Sequence, residues 1–260
     1  MKGWDVIVDV IFVIGMAGSG KSYLVSTLQD WLRMKKLNAI SVNLDPGVVN
    51  LPYNPTVDCR MFVDTNRLMQ EYELGPNGAL IMAADLIADH MEEIKQNIED
   101  EAADIVLVDT PGQIELFAFR QSGPYISEAI SGEGKAVVYV FDGAFSKNPA
   151  NYVSNMFLSA AVYNRLLLPQ VYAITKSDLL SEQELDQMVS WAEDFEELEQ
   201  SLETQLGKTE SLINRDLARA ISDVGLMSEP IPISAKTFTG LIELYAALTR
   251  IFAGGEEPLP

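Results

Sequence analysis

The residues best placed for chemistry occupy positions 15–22, which read Gly-Met-Ala-Gly-Ser-Gly-Lys-Ser. This run fits the pattern G-x-x-x-x-G-K-[ST], in which backbone N–H groups surround a phosphate and glycines permit its close approach. We expect the Lys21 ammonium to bind the β- and γ-phosphates and the Ser22 hydroxyl to bind Mg²⁺. The nucleotide-binding residues predicted here are Gly15, Ala17, Gly18, Ser19, Gly20, Lys21, Ser22 and Tyr23.

Two aspartates that follow apolar segments are candidates for the reactive end of the bound nucleotide. Asp45 comes after a strand predicted for 39–44, and Asp109 comes after a strand predicted for 104–108. In open parallel sheets, the carboxyl ends of the strands form the ligand-binding edge. We predict that Asp109 reaches Mg²⁺ through its water shell, and that Asp45 either does the same or orients the attacking water. A purely structural role in a turn is the alternative for Asp45.

Gly112 and Gln113 extend this site beyond Asp109. Because Gly112 has no side chain, its amide can approach a γ-phosphate, and Gln113 has the chemistry to orient a water molecule. The residues predicted to act in catalysis are Lys21, Asp45, Asp109 and Gln113, and those predicted to hold Mg²⁺ are Ser22, Asp45 and Asp109.

Residues 175–178, Thr-Lys-Ser-Asp, follow a predicted strand and are suited to recognising a guanine base. The Asp178 carboxylate can accept hydrogen bonds from N1–H and from the 2-amino group of guanine, whereas adenine lacks that amino group. A buried polar group left unpaired costs about 1 to 3 kcal/mol, which is enough for selection. The aliphatic stem of Lys176 would lie against the base. The nucleotide-binding residues predicted on this side are Gly112, Thr175, Lys176, Asp178, Ser234, Ala235 and Lys236.

The alternation of apolar strands and helices predicts the elements that position these residues. We expect an α/β fold with a mostly parallel central sheet and helices on both faces, the P-loop NTPase fold. Strands are predicted at 6–14, 39–44, 104–108, 136–141, 170–174 and 231–233, and helices at 23–32, 65–73, 80–99, 149–165 and 240–252.

Residues 181–224 are predicted to form a helical insertion between the last two strands. Its helices carry one apolar and one acidic face, and we expect the apolar face to pack on its own domain, with a partner-binding surface as the alternative. The whole chain, 1–260, is expected to be a single domain with a loose tail at 254–260.

Composition narrows the classes of partner. The 260 residues contain 18 Lys and Arg against 38 Asp and Glu, which leaves a net charge of −20 that repels nucleic acid and anionic membranes. Cys59 is the only cysteine, so an intrachain disulfide is impossible. No stretch approaches the roughly 18 to 20 apolar residues that cross a bilayer. These features predict a cytoplasmic protein that binds neither membranes nor nucleic acids.

These motifs, taken in order, resemble those of the GPN-loop GTPases, with a size similar to that of the archaeal type. The resemblance covers nearly the whole chain and rests, beyond the phosphate loop and the guanine motif, on residues 43–47, 51–55, 58–60, 75–79 and 109–115. The segment that distinguishes the family is Gly75-Pro76-Asn77, which lies between the second and third predicted strands.

The resemblance implies a homodimer whose two nucleotide sites face the interface. In such a dimer the Gly75-Pro76-Asn77 loop of one subunit reaches toward the phosphates bound by the other, so Asn77 would act catalytically in trans. Eukaryotic relatives are linked to the assembly of RNA polymerase II, which implies assembly work on a protein client.

Two positions depart from related patterns. Thr175 stands where guanine-binding motifs often carry Asn, which weakens one ring contact but leaves Asp178 in place. Related dimeric ATPases carry a lysine just after the first glycine of the loop, and here that residue is Met16. A trans lysine is therefore absent, and the Gly-Pro-Asn loop is its expected substitute at the dimer contact.

The sequence thus predicts Mg²⁺-dependent hydrolysis of GTP to GDP and phosphate by a dimeric molecular switch. The alternative is a P-loop kinase that transfers the γ-phosphoryl group to a small-molecule or polynucleotide acceptor. Such kinases usually carry several arginines in a lid, and the insertion offers none before Arg215. A third reading is an assembly factor whose bound nucleotide only sets its conformation.

Overall fold

A computed structural model describes residues 8–205, 208–223 and 228–254, with the side chains of 208–211 left out. The first residues of the strand predicted at 6–14 and all but one residue of the tail predicted at 254–260 lie outside these ranges. Residues 206, 207 and 224 of the insertion lie outside them as well.

Seven parallel strands form one sheet within the described residues. Its order is β3-β2-β4-β1-β5-β6-β7, so β1 and β4 are central neighbours. The strands are β1 (Asp9–Gly15), β2 (Ala39–Asn43), β3 (Val57–Asp58), β4 (Ile105–Asp109), β5 (Gly134–Asp142), β6 (Gln170–Thr175) and β7 (Ile231–Pro232). Because all of them run the same way, their carboxyl ends meet at one edge, where Asp109 pairs in register with Val13.

Helices cover both faces of the sheet. They are α1 (Lys21–Met34), α2 (Thr65–Glu71), α3 (Pro76–Asp89), α4 (Met91–Asp100), α5 (Ile114–Phe117), α6 (Ser122–Ala129), α7 (Gly143–Ser146), α8 (Pro149–Leu166), α9 (Glu182–Glu193), α10 (Phe195–Gln205), α11 (Lys208–Asp223) and α12 (Leu241–Phe252). The predicted α/β fold is confirmed.

Each face of the sheet has its own apolar core. Helices α1 and α12 bury leucines against one face, and most of the remaining helices bury their apolar side chains against the other. Strands buried on both faces must be apolar at nearly every position, as in the run Val10–Ile14, where every side chain is buried. This explains why the central strands were recognisable as short apolar runs.

The helix predicted at 80–99 is wrong in its bounds. The structure begins α3 at Pro76 and separates it from α4 at His90. Gly75 is the extended N-cap residue and Pro76 occupies the first turn, where its missing N–H costs nothing. The Gly-Pro-Asn segment is therefore the start of a helix.

Two further details differ from the predicted elements. The helix predicted at 65–73 ends at Glu71, and its N-cap is Asp64, whose carboxylate accepts from the Asn66 amide at 2.8 Å. The edge strand β3 was not predicted, because two residues carry no readable periodicity.

The insertion packs on the same domain through its apolar side chains. Met188, Leu198 and Leu202 are fully buried in the larger of the two cores. Trp191 of α9 contacts Tyr152 of α8 edge to face, with ring centroids 5.2 Å apart. The acidic residues are left on the outer surface of the helices.

Candidate functional site

The phosphate loop connects β1 to α1 at the carboxyl edge of the sheet. Gly18 and Gly20 have φ angles of 74° and 93°, which glycine adopts without strain. A Cβ on Gly15 would lie 2.7 Å from the Val140 carbonyl oxygen, so this position also requires glycine. The loop therefore needs glycine at positions 18 and 20 because of their positive φ angles, and at position 15 because the Val140 backbone leaves no room for a Cβ.

Lys21 is buried at the first turn of α1 and crosses the loop. Its Nζ donates to the Met16 carbonyl oxygen at 3.1 Å. Burial lowers the pKa of Lys21, while the nearby carboxylates of Asp109 and Asp45 act in the opposite direction. The ammonium thus stands where an anionic phosphate would become its main partner.

Asp109 ends β4 beside this loop and is only 1% exposed. Its Oδ2 accepts a hydrogen bond of 2.9 Å from the Tyr53 hydroxyl. Burial raises the pKa of Asp109, and the Ser22 and Tyr53 hydroxyls together with the Lys21 ammonium oppose that rise. Within the described part of the chain, Asp109 Oδ1 is buried without any hydrogen-bond partner. A charged oxygen in this condition requires a ligand or a water.

The residues around Asp109 fit a magnesium ion. The unpaired Oδ1 is an oxygen donor of the type that Mg²⁺ prefers, and the hydroxyl of Ser22 lies close enough to affect the pKa of Asp109. Over 8–205, 208–223 and 228–254, no three His, Cys, Asp or Glu side chains converge as a metal cluster. Mg²⁺ commonly takes one or two protein ligands and completes its shell with phosphates and water, and Ser22 and Asp109 would hold it here.

Asp45 lies at the same edge, but both of its oxygens are paired with backbone amides. Oδ1 accepts from Gly47 at 2.9 Å, and Oδ2 accepts from Gly112 at 3.3 Å. Asn43 holds the Asp45 backbone in turn, accepting from its N–H at 3.0 Å. Asp45 therefore ties two loops together, and its predicted roles as metal ligand and water-orienting residue stay predictions.

Gly112 and Gln113 follow β4 on the other side of the phosphate loop. A Cβ on Gly112 would stand 3.2 Å from Ala17 Cα and 3.8 Å from Lys21 Nζ, so the two loops are in close contact. Gln113 is half-buried and is the N-cap residue of α5. The structure brings Gly112 to the phosphate loop, and the predicted roles of Gly112 at the γ-phosphate and of Gln113 at the attacking water stay predictions.

The residues predicted to read the base meet at the ends of β6 and β7. Ser234 is 1% exposed, and its hydroxyl donates to Asp178 Oδ1 at 2.7 Å. The Thr237 amide donates to the Ser234 Oγ at 3.2 Å, which orients that hydroxyl. Asp178 itself is exposed. Its carboxylate is thus held from one side and open to a ligand on the other.

Lys176 and Thr175 fasten this base-reading region to the phosphate loop. Lys176 Nζ donates to the Gly18 carbonyl oxygen at 2.8 Å and to Asp142 Oδ2 at 2.7 Å. The Thr175 hydroxyl lies 2.5 Å from the Ser19 carbonyl oxygen and 3.1 Å from that of Phe141. Thr175 thus joins the loop to two strands with its hydroxyl.

Ala235 and Lys236 complete the loop after β7. The Thr27 hydroxyl on α1 donates to the Ala235 carbonyl oxygen at 3.2 Å, which fixes this loop above the first helix. Lys236 is exposed. The sequence-predicted residues of this side, from Thr175 to Lys236, therefore share one end of the sheet.

The Gly75-Pro76-Asn77 segment is exposed at the beginning of α3. It adjoins the loop after Asp45, because Pro76 and Leu80 line a cleft with residues 46–49. Among the described residues, no hydrogen bond joins the segment to the phosphate loop of its own chain. Asn77 is exposed in the single subunit, and its predicted action in trans stays a prediction.

Sequence reasoning missed Tyr53 as a site residue. It lies in the proline-pinned segment 51–55, which has no periodicity to show which way a side chain points. The hydrogen bond to Asp109 joins residues that are 56 positions apart, so only the fold could reveal it.

The fold and this site define a class of protein: a parallel α/β nucleotide-binding protein with a phosphate loop after its first strand. Comparison with known proteins narrows the class. A family model described as "Conserved hypothetical ATP binding protein" matches residues 13–254. The chain is 32% identical over 237 residues to the GPN-loop GTPase PAB0955 of Pyrococcus abyssi, covering 90% of this chain and 94% of that protein.

The same archaeal protein provides a structural match. The crystal structure of its apo form superposes with a TM-score of 0.82 at 31% sequence identity, over 94% of this chain and 97% of that one. GPN-loop GTPase QQT2 of Arabidopsis thaliana is 34% identical over 239 residues, covering 91% of this chain. The chain therefore belongs to the GPN-loop GTPase family.

Relatives of two lengths are found. The chain spans 62% of the Arabidopsis protein and 59% of GPN-loop GTPase 1 of Dictyostelium discoideum, which is 30% identical over 241 residues.

Within the described ranges, no helix has both the length and the apolar composition required to cross a bilayer.

Proposed function

We propose that this protein hydrolyses GTP to GDP and phosphate with the help of Mg²⁺. The observation that carries the choice of base is the Asp178 carboxylate, held at 2.7 Å by buried Ser234 and open on its other side. The family description speaks of ATP, but a carboxylate can satisfy two guanine donors at once and finds no such pair on adenine. The relatives named above as GTPases support the same choice.

The protein residues have separable tasks in this reaction. The amides of the phosphate loop and the Lys21 ammonium bind the phosphates and neutralise the charge that builds toward the β–γ bridge. Within the chain the Gly112 amide donates to Asp45 Oδ2 at 3.3 Å, and it would exchange this carboxylate for the γ-phosphate when nucleotide binds. Gln113 and Asp45 would position the attacking water. Bound Mg²⁺, held by Ser22 and through water by Asp109, would supply further positive charge to the phosphates.

Phosphate release from the purified protein, with Mg²⁺ and no added acceptor, tests the proposal. We expect release from GTP and much less from ATP, and a loss of about 100-fold or more in Lys21→Ala, because one charged donor is removed from the transition state. Lys95→Ala, which changes a lysine of α4 remote from the site, is the matched control and should retain full turnover.

Three other results of the phosphate-release assay would contradict parts of the proposal. Binding of GTP without phosphate release would favour the kinase or an assembly factor that does not turn over alone. Preference for ATP would contradict the role of Asp178. A Lys21→Ala protein with the turnover of the wild type would remove Lys21 from the mechanism.

We also propose that the protein works as a homodimer through the surface that carries the nucleotide, with Asn77 acting in trans. Two observations support this. The Gly-Pro-Asn segment is exposed and unengaged by its own phosphate loop among the described residues. Val49, which lines the adjoining cleft, and Met61 nearby are 84% and 83% exposed, as apolar side chains at an interface would be in a single chain.

A switch that assembles protein complexes is the corresponding proposal for its biological role. Its support is the family membership, and the client, RNA polymerase among the possibilities that the resemblance implies, would be identified by co-purification with GDP or a non-hydrolysable GTP analogue. A change of bound proteins between the two nucleotides would support a switch. A cytoplasmic location remains part of this proposal.

A further inference from the structure

We propose that Tyr53 is a positioning residue of the nucleotide site: its hydroxyl fixes the Asp109 carboxylate so that the free Oδ1 faces the magnesium ion's water shell. The inference rests on the proposed function, because it assigns Asp109 its role there. It adds a residue that neither the phosphate-loop pattern nor the guanine-reading residues contain.

The geometry at Asp109 separates its two oxygens. Oδ2 accepts the Tyr53 hydrogen bond at 2.9 Å, whereas Oδ1 is buried with no partner among the described residues. A carboxylate held at one oxygen by a hydroxyl cannot rotate without losing that bond. The Tyr53 contact therefore selects one orientation of Asp109, in which Oδ1 is the oxygen left for a ligand.

Because Asp109 is buried, losing this hydrogen bond would leave one of its oxygens without a replacement partner. Asp109 is 1% exposed, so water cannot replace a lost partner at Oδ2 without entering the site. Lys21, the nearby cation, donates to the Met16 carbonyl oxygen and is not within ion-pair distance of Asp109 among the described contacts. The phenol therefore holds Oδ2 of the carboxylate in place before nucleotide binds, and the Ser22 hydroxyl acts on the same carboxylate by lowering its pKa.

The segment around Tyr53 is held in a fixed conformation by prolines and backbone hydrogen bonds. Pro52 and Pro55 flank it and restrict the backbone, and Tyr53 packs against the core formed by α1 and α12. The Ser26 hydroxyl on α1 donates to the Pro52 carbonyl oxygen at 3.4 Å, and the Thr56 amide donates to Ser41 on β2 at 2.9 Å. The ring is thus supported from both ends of its segment.

If Tyr53 has this role, removing its hydroxyl should weaken Mg²⁺ binding more than it weakens binding of the nucleotide without metal. Removing a side chain that orients a metal-binding carboxylate typically lowers metal affinity 10- to 100-fold. The base contacts at Asp178 and the phosphate-loop amides do not involve Tyr53. Loss of the hydroxyl should therefore leave metal-free binding of GDP unchanged and weaken the gain that Mg²⁺ provides.

The test compares GDP affinity in Mg²⁺ and in EDTA for wild type and Tyr53→Phe by calorimetric titration. The substitution keeps the ring and removes only the hydroxyl. We expect an unchanged affinity in EDTA, a Mg²⁺ enhancement reduced about 10-fold, and a lower kcat for GTP at limiting Mg²⁺ that high Mg²⁺ partly restores.

Tyr245→Phe is the matched control. Tyr245 packs against the same core from α12, 5.6 Å from the Trp31 ring, and among the described contacts it is not a hydrogen-bond partner of Asp109. It should leave both affinities unchanged. A second arm uses Asp109→Asn: if Tyr53 acts through the carboxylate, adding Tyr53→Phe to Asp109→Asn should reduce the Mg²⁺ enhancement no further.

Each outcome decides the inference. A Tyr53→Phe protein whose Mg²⁺ enhancement equals that of wild type overturns it, as does a full additional loss in the Asp109→Asn background. A wild type that shows no GTP hydrolysis, while Tyr53→Phe still lowers the Mg²⁺ enhancement, would refute the proposed function and leave this inference standing.

Discussion

Under the proposed function, selectivity for guanine would depend on the Asp178 carboxylate, which is itself held by the Ser234 hydroxyl. Ser234 donates to Oδ1 and receives a hydrogen bond from the Thr237 amide, so a three-member chain orients the carboxylate. A base that pairs with an oriented acceptor loses less conformational freedom on binding than one that must order it. Under the proposed function, the buried Ser234 would contribute to base recognition by orienting Asp178, without having to contact the base.

Asp178→Asn should reduce the preference for GTP over ATP by about 10-fold or more, because the amide has one acceptor and presents an N–H donor where guanine has donors. Ser234→Ala should lower GTP affinity about fivefold, since the carboxylate remains but is no longer oriented. Competition between GTP and ATP for a fluorescent nucleotide measures both effects.

Ser190→Ala on α9, where the hydroxyl only donates to the Gln187 carbonyl oxygen, is the control for the serine substitution. It should bind both nucleotides as wild type does. An unchanged ratio of GTP to ATP affinity in Asp178→Asn would refute the assignment of the base-reading residue.

Thr175 stands where guanine-binding motifs often carry Asn, and its hydroxyl makes structural contacts at this position. Its hydroxyl is buried between the Ser19 and Phe141 carbonyl oxygens, so it connects the phosphate loop with the sheet. A hydroxyl at this position can tie backbones together, although it offers the base less than an amide would. The Thr175 hydroxyl therefore contributes a structural contact between the phosphate loop and the sheet.

Among the elements, the pair α5–α6 directly follows the loop that contains Gly112 and Gln113. A Cβ on Gly123, in the first turn of α6, would stand 1.7 Å from the Phe117 carbonyl oxygen at the end of α5. This contact is with backbone, which cannot move aside as a flexible side chain does. The close approach of the two helices thus depends on glycine.

Gly123→Ala should lower the free energy of unfolding by about 1 to 3 kcal/mol, because the methyl group forces the two helices apart. Denaturant unfolding followed by circular dichroism measures this. Phosphate release should fall with it, since α5 begins directly after Gln113.

Gly78→Ala is the matched substitution in the first turns of α3. The nearest atom to a Cβ there is Leu74 Cδ2 at 3.5 Å, an ordinary contact. Alanine should therefore be neutral or stabilise the helix by about 0.5 kcal/mol. A Gly123→Ala protein as stable as Gly78→Ala would show that the α5–α6 contact can relax freely.

For the whole molecule, the exposed Gly-Pro-Asn segment makes one chain an incomplete site under the proposed function. A symmetric dimer can place the same segment of each subunit against the phosphates of the other, since a two-fold interface brings identical surfaces together. This arrangement is testable by exchanging subunits that carry different defects.

Lys21→Ala and Asn77→Ala should each be nearly inactive alone. If Asn77 acts in trans, a mixed dimer has one site with an intact Lys21 and an intact Asn77 from the partner. Equal mixing should then restore about a quarter of wild-type phosphate release, because half of the dimers are mixed and each has one working site.

Size-exclusion chromatography of tagged and untagged subunits must show that exchange has occurred. The control mixture, Lys21→Ala with wild type, gives the activity expected when only one type of defect is present. Confirmed mixed dimers without any recovered activity would exclude action of Asn77 in trans.

Much of this protein was readable from local sequence. The phosphate loop, its flanking strand and helix, and Asp109 at the end of β4 all follow from short spacings, because glycine positions and apolar runs record what the adjacent backbone must do. The parallel α/β fold follows from the same runs, since strands buried on both faces must be apolar throughout.

The tertiary structure decided the pairings that bring distant segments together. The Tyr53–Asp109 and Ser234–Asp178 hydrogen bonds each join residues 56 positions apart, and spacing does not specify which side chains meet at one edge of a sheet. The order β3-β2-β4-β1-β5-β6-β7 places those segments side by side. The physical reason is that periodicity reports burial of one element, whereas a hydrogen bond between elements requires the position and direction of both.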